Sequence, residues 1–126
     1  MKVINSMVHG FIDYMTGMFL LVTPYIFGFA EAEGAAVIAP RIIGLMIIGQ
    51  SLFTRYELGI VKAIPFSMHL MLDYGIAALT LLSPWLFGFA DLENARTAMI
   101  AIGLMEFLVV IMTRAETTVA VRQTAR

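Results

Sequence analysis

The sequence has no cysteine, one tryptophan and four prolines, and only 13% of its 126 residues are charged. Without cysteine there is no disulfide scaffold, no thiolate metal site and no cysteine nucleophile. Soluble domains carry about 25% charged residues, so too little polar surface remains here to clothe a water-soluble globule of this size. The net charge of -1, with no basic patch, excludes a nucleic-acid partner. No Gly-rich phosphate loop, nucleophile elbow or His-Glu-x-x-His zinc helix is present, and no enzymatic activity is expected. What the chain has in quantity is apolar residues, 60% of the total, with a mean hydropathy of +0.89. The expectation is a single membrane domain over 1–126, with the lipid bilayer as its first partner.

Long apolar runs cover 6–29, 36–53, 66–89 and 95–112, separated by short polar breaks. At ~1.5 Å per residue such runs reach ~27–36 Å, near the thickness of a hydrocarbon core. They read as four transmembrane helices. A transmembrane barrel needs at least eight strands of alternating polarity, and no such alternation occurs. The first run is too long for a signal peptide and carries His9 and Asp13. Its pattern also returns in mid-chain, so the expectation is that it stays in the mature protein.

That return organises the chain. Residues 2–30 align without gaps on 62–90, with 11 identities, among them Lys2/Lys62, His9/His69, Asp13/Asp73, Tyr14/Tyr74, Pro24/Pro84 and Phe27-Gly28-Phe29-Ala30/Phe87-Gly88-Phe89-Ala90. After a one-residue slip, Ile43-Gly44-Leu45-Met46 matches Ile102-Gly103-Leu104-Met105, and Thr54-Arg55-x-Glu57 matches Thr113-Arg114-x-Glu116. Chance agreement between apolar helices does not reproduce His, Asp, Pro and Arg at one offset. The fold expected is therefore all-α, two tandem helix hairpins (2–59 and 62–118) and a short cytoplasmic tail, 119–126. Each repeat holds an even number of spans, so the halves run the same way, related by a pseudo-twofold axis along the membrane normal. Lys2, Arg55, Lys62, Arg114, Arg122 and Arg126 fall on one side, against Arg41 and Arg96 on the other. This bias puts both termini in the cytoplasm. Arg122 and Arg126 are placed to touch anionic lipid.

At the far end of the first helix of each repeat stand Thr23-Pro24-Tyr25 and Ser83-Pro84-Trp85. The chain resembles the SPW repeat family, small bacterial integral membrane proteins whose unit is a helix pair carrying that tripeptide. The resemblance covers both repeats, although the first copy departs to Thr-Pro-Tyr. It implies location in the inner (plasma) membrane and a four-helix fold, and no established activity. Physically, Pro24 and Pro84 free the carbonyls of Leu20 and Thr80, and the preceding hydroxyls can satisfy the loosened turn. Tyr25 and Trp85 suit the outer interface. Gly28 permits a tight exit turn, with Phe27 and Phe29 facing lipid or the partner helix. Gly17, Gly44, Gly49, Gly75 and Gly103 read as helix-packing positions. The ten methionines are not clustered beside His, so they read as core filling and not as a copper path.

The chemistry-bearing residues lie inside the spans. His9 and Asp13 share a helix face, as do His69 and Asp73. Asp13 and Glu106 both fall ~12 Å deep by residue count. Glu106 has no counterpart, Ile47 standing in its place, and Gln50 answers to Val109, so the symmetry breaks at this layer. A carboxylate in the membrane costs at least ~2.5–3.5 kcal/mol and needs a partner. Internal neutralisation would come from each Asp's own His, from Tyr14 or Tyr74, or from Arg55 or Arg114 reaching inwards. Against it stand three uses: a proton or cation site, a metal site of two His with two or three carboxylates, and a bis-His haem. The leading expectation is a scaffold or subunit packed against itself or against another membrane protein. The alternative is a proton- or cation-translocating, or metal- or haem-binding, protein. Reporter fusions after Gly34 and after Gly59 are expected to report opposite sides of the membrane; the same side for both would remove the four-span topology.

Overall fold

The computed structural model describes residues 2–117. The tail 119–126, with Arg122 and Arg126, lies outside the described residues. Among the described residues four helices form: α1 (Ser6–Ile26), α2 (Ala35–Leu52), α3 (Phe66–Leu86) and α4 (Glu93–Ile111). Helices α2, α3 and α4 are long and apolar enough to cross a membrane. Helix α1 equals α3 in length, 21 residues, with its apolarity diluted by His9, Asp13, Thr16 and Thr23.

The chain also forms short extended pairs outside the helices, which the reading of its spans did not anticipate. Strand β1 (Thr54–Arg55) pairs in parallel with β2 (Ile64–Pro65), and Ile4 bridges Thr113 in the same sense. These are one device used twice. The Ile64 amide donates to the Phe53 carbonyl at 2.8 Å, and the Ile4 amide to the Met112 carbonyl at 2.9 Å. The end of each hairpin is thereby sewn to the start of the other, which satisfies backbone groups that a helix end leaves open.

Both first helices end alike. Gly28 and Gly88 take positive φ, 74° and 76°. The amides of Phe29 and Phe89 each reach back to the proline carbonyl, Pro24 or Pro84, at 2.8 Å. This six-to-one bond with a left-handed glycine closes the helix and turns the chain into the next one. The phenylalanines divide: Phe29 and Phe89 are buried, and Phe27 and Phe87 stay exposed. Ser83 donates to the Thr80 carbonyl that Pro84 frees, at 2.7 Å. Thr23 departs from its expected role and donates to Phe19 at 2.8 Å, one carbonyl short of Leu20.

Packing is dense within each hairpin, α1 on α2 and α3 on α4, and sparse between hairpins. The hairpins close over glycine. A Cβ on Gly44 would stand 2.6 Å from the Gly17 carbonyl oxygen, and one on Gly103 would stand 2.7 Å from the Leu81 amide nitrogen. Gly49 and Gly75 do not pack in this way, for nothing lies within 4 Å of a Cβ there. Burial is inverted relative to a soluble protein. His9, Asp13, Ser51, Thr54, His69, Thr80 and Thr113 are buried, while Phe11, Met15, Met71 and Leu104 are exposed. One apolar core, around Leu20, Ile43, Ala98 and Met99, fills the end where the helices turn back, and a second, of Tyr56, Phe66, Leu70 and Val110, fills the opposite end. The polar layer lies beside the second.

Replacing Gly44 by Ala is expected to destabilise the protein by about 1–3 kcal/mol, because the added methyl meets backbone and not a movable side chain. Gly49→Ala, into open space, is expected to be neutral or slightly stabilising. Thermal unfolding in detergent compares the two.

Candidate functional site

His9 is the fourth residue of α1 and Asp13 the eighth; His69 and Asp73 hold the same places in α3. A spacing of four aims each pair the same way, and the two helices aim their pairs at each other. The result is a closed ring of four atoms in which nitrogen and oxygen alternate. His9 Nε2 lies 2.8 Å from Asp73 Oδ2, and His69 Nε2 lies 2.8 Å from Asp13 Oδ2. The contacts within each helix are longer, 3.1 Å for His9–Asp13 and 3.2 Å for His69–Asp73. Each histidine thus holds the other half's aspartate more closely than its own.

The far nitrogens are fixed too. His9 Nδ1 meets Thr113 Oγ1 at 2.8 Å, and His69 Nδ1 meets Thr54 Oγ1 at 2.7 Å. Each threonine donates its single proton to the carbonyl four residues back, Val109 or Gln50, at 2.6 Å. The hydroxyl can then only accept from the ring, so Nδ1 carries a proton in both histidines. The Nε2 atoms therefore face the carboxylates either as lone pairs or as second N–H donors. With both aspartates ionised, charge cancels among these four side chains only when both imidazoles carry that second proton.

The carboxylates are held from outside the ring. Gln50 donates to Asp73 Oδ1 at 2.6 Å, and Ser51 to Asp13 Oδ2 at 3.4 Å. The Phe66 ring lies 5.6 Å from that of His9 and 5.4 Å from that of His69, and Tyr56 stacks on Phe66. Tyr56 is wholly buried over Gly10, and burial pushes its phenol above the usual range. The matching place to Phe66 is Ser6, which donates to Glu57 at 2.6 and 2.8 Å. One half covers the ring with aromatics and the other with a polar contact.

Glu106 stands apart from this network. Both its carboxylate oxygens are buried and find no hydrogen-bond partner among the described residues. It shares the wall of a cavity of about 20 Å³ with His9, Asp13, Asp73 and Thr16. That volume suffices for one water-sized guest. A porphyrin is many times larger, and the two imidazole rings sit edge to face with centroids 5.4 Å apart, so the haem arrangement does not fit.

Other candidates fall elsewhere. Arg55 and Arg114 do not neutralise the aspartates. Both are exposed, and the Arg114 guanidinium donates to the Lys2 carbonyl at 3.1 Å. They follow the threonines that face inwards, and one step along an extended segment reverses a side chain's direction. Tyr14 donates to the Leu58 carbonyl at 2.8 Å, and Tyr74 is exposed beside Phe107. Tyr25 and Trp85 are also exposed, 66% and 55%, with Arg41 reaching the Tyr25 hydroxyl at 3.0 Å; Pro24, Thr23, Ser83 and Pro84 are buried in the helix turns. The tripeptides lie at the other end of the helices from the ring. Thr54, Thr113 and Ser51 were not among the residues singled out from sequence. The recurrence of Thr at the end of each second helix, just before Arg, was the signal available for two of them.

No curated protein and no solved structure matches the chain. The SPW repeat domain does match, over residues 7–113. That span takes in both hairpins, both proline turns and all five ionisable residues of the layer, and the chain belongs to the SPW repeat family of small membrane proteins.

Proposed function

We propose that this protein is a four-span, non-catalytic packing unit of the bacterial inner membrane, a scaffold or subunit, with both termini in the cytoplasm. The observation that carries the reading is the crosswise ring. Its shortest contacts join α1 to α3, and the threonines come from the end of the opposite hairpin, so the polar layer works as a clasp between halves. The interior beside it has room for one water-sized guest, whereas substrate pockets run to hundreds of Å³. The larger hollows are open apolar grooves, such as that between α1 and α4 lined by Phe11, Met15, Phe19 and Ala98. Lipid chains or a partner helix, from a second copy or another membrane protein, suit that lining. The lengths of α1 and α3 and the charge bias support the four-span topology.

A second reading, passage of protons or cations through the layer, is favoured by the unpartnered carboxylate of Glu106. Proteoliposomes under proton, sodium or potassium gradients separate the two. The scaffold reading expects no flux, together with a loss of about 3–5 kcal/mol of stability in Asp13→Leu, which leaves two imidazoles short of a partner. Flux that Asp13→Asn and Asp73→Asn abolish would replace it with the transport reading.

A further inference from the structure

We propose that the ring is a binding site for one divalent transition-metal ion of the zinc type, held by Nε2 of His9 and His69 and by Oδ2 of Asp13 and Asp73. The four ligand atoms all lie within 4.8 Å of one another. Zinc takes imidazole nitrogen and carboxylate oxygen at about 2.0–2.2 Å, which makes a tetrahedron with edges of about 3.3–3.6 Å. The ring edges are 2.8–3.2 Å, so an ion enters by spreading the side chains a few tenths of an ångström. Two nitrogen and two oxygen donors suit zinc better than the larger, all-oxygen shells of calcium or magnesium.

The surroundings are those of a ligand set. A metal-bound histidine uses its other ring N–H to hold its orientation. Here both Nδ1 groups donate to threonines that are themselves anchored to helix carbonyls. Gln50 holds the free oxygen of Asp73. The three carboxylates that line the small cavity are the second line of support. Glu106 lies outside the ring, without a hydrogen-bond partner, in the wall of the same small cavity. An ion of charge +2 bound through these four atoms offsets the two carboxylates, each ligand atom giving it a lone pair, and any proton held on a ligand atom leaves to water. Glu106 then faces a cation at close range instead of a closed hydrogen-bonded ring.

Titration of the purified, chelator-stripped full chain in detergent tests this, with zinc chloride by calorimetry in two buffers of different ionisation enthalpy, and with cobalt(II) by visible absorption. The expected result is one ion per chain and the intense visible bands of tetrahedral cobalt. Thr54→Val with Thr113→Val is expected to weaken binding 10–100-fold at unchanged stoichiometry. His9→Gln with His69→Gln is expected to abolish it, far-UV circular dichroism reporting that the helices persist. No saturable uptake of either ion by the wild-type chain overturns the proposal, and so does undiminished uptake by the His9/His69 variant. The scaffold reading is judged by ion flux and this one by ion binding to solubilised protein, so each can fail alone.

Discussion

Four ionisable side chains inside an apolar bundle can be tolerated only if they satisfy one another, and this requirement shapes the rest of the fold. An isolated carboxylate or imidazolium in hydrocarbon is costly, and helices in lipid gain no hydrophobic attraction to compensate. One hairpin supplies a His and an Asp four residues apart, whose contact is 3.1 or 3.2 Å; the second hairpin shortens the best contact to 2.8 Å and doubles the number of acceptors. A single hairpin would hold a half-satisfied network, which is worse than an apolar core. The duplication evident in the sequence is therefore a structural necessity for residues of this kind at this depth.

A division of labour follows. Apolar packing and glycine contacts join helices within a hairpin, whereas the two shortest bonds of each histidine, and the bond from Gln50 to Asp73, cross between hairpins. The backbone bridges at Ile4–Thr113 and Thr54–Ile64 cross in the same way. They also bring Thr113 and Thr54 under the two histidines, so the extended segments position the imidazoles as well as closing the chain. Departures from symmetry gather at the same level: Phe66 opposite Ser6, Glu106 opposite Ile47, Gln50 opposite Val109. The two halves are equal in what forms the ring and unequal in what surrounds it, which gives the ring one aromatic wall and one wall with a carboxylate.

Most of the helices and the membership of the layer were legible because the sequence is written twice. Hydrophobic runs located the helices to within a few residues, and the shared offset singled out His and Asp among many apolar matches. The partner choice was not legible. A spacing of four residues says that His9 and Asp13 share a face, and it says nothing of the distance to α3, which decides that His9 sits closer to Asp73. For the same reason Arg55 and Arg114 drew attention for their charge, although the neighbouring threonines are the residues that turn inwards. The two-residue strands escaped because so short a segment has no period to read.

The separation between the family's signature and its chemistry has a physical explanation. Ser83 satisfies the carbonyl that Pro84 frees, and the Pro84 carbonyl accepts the Phe89 amide across a left-handed Gly88, which delivers the Phe89 ring into the core. The proline and glycine roles are fixed by backbone geometry and leave little freedom of residue type. Trp85 and Tyr25, by contrast, point outwards, and an aromatic ring with a polar atom serves at that place in either form. Exchange of tryptophan for tyrosine in the first copy is therefore the substitution the turn can best absorb. The tripeptide secures the hairpin at one end of the bundle, and the hairpin's register then decides whether His and Asp, more than two turns away, meet their partners across the axis. The tripeptide thus sets geometry on which the polar layer depends, while the layer itself is built from residues outside it.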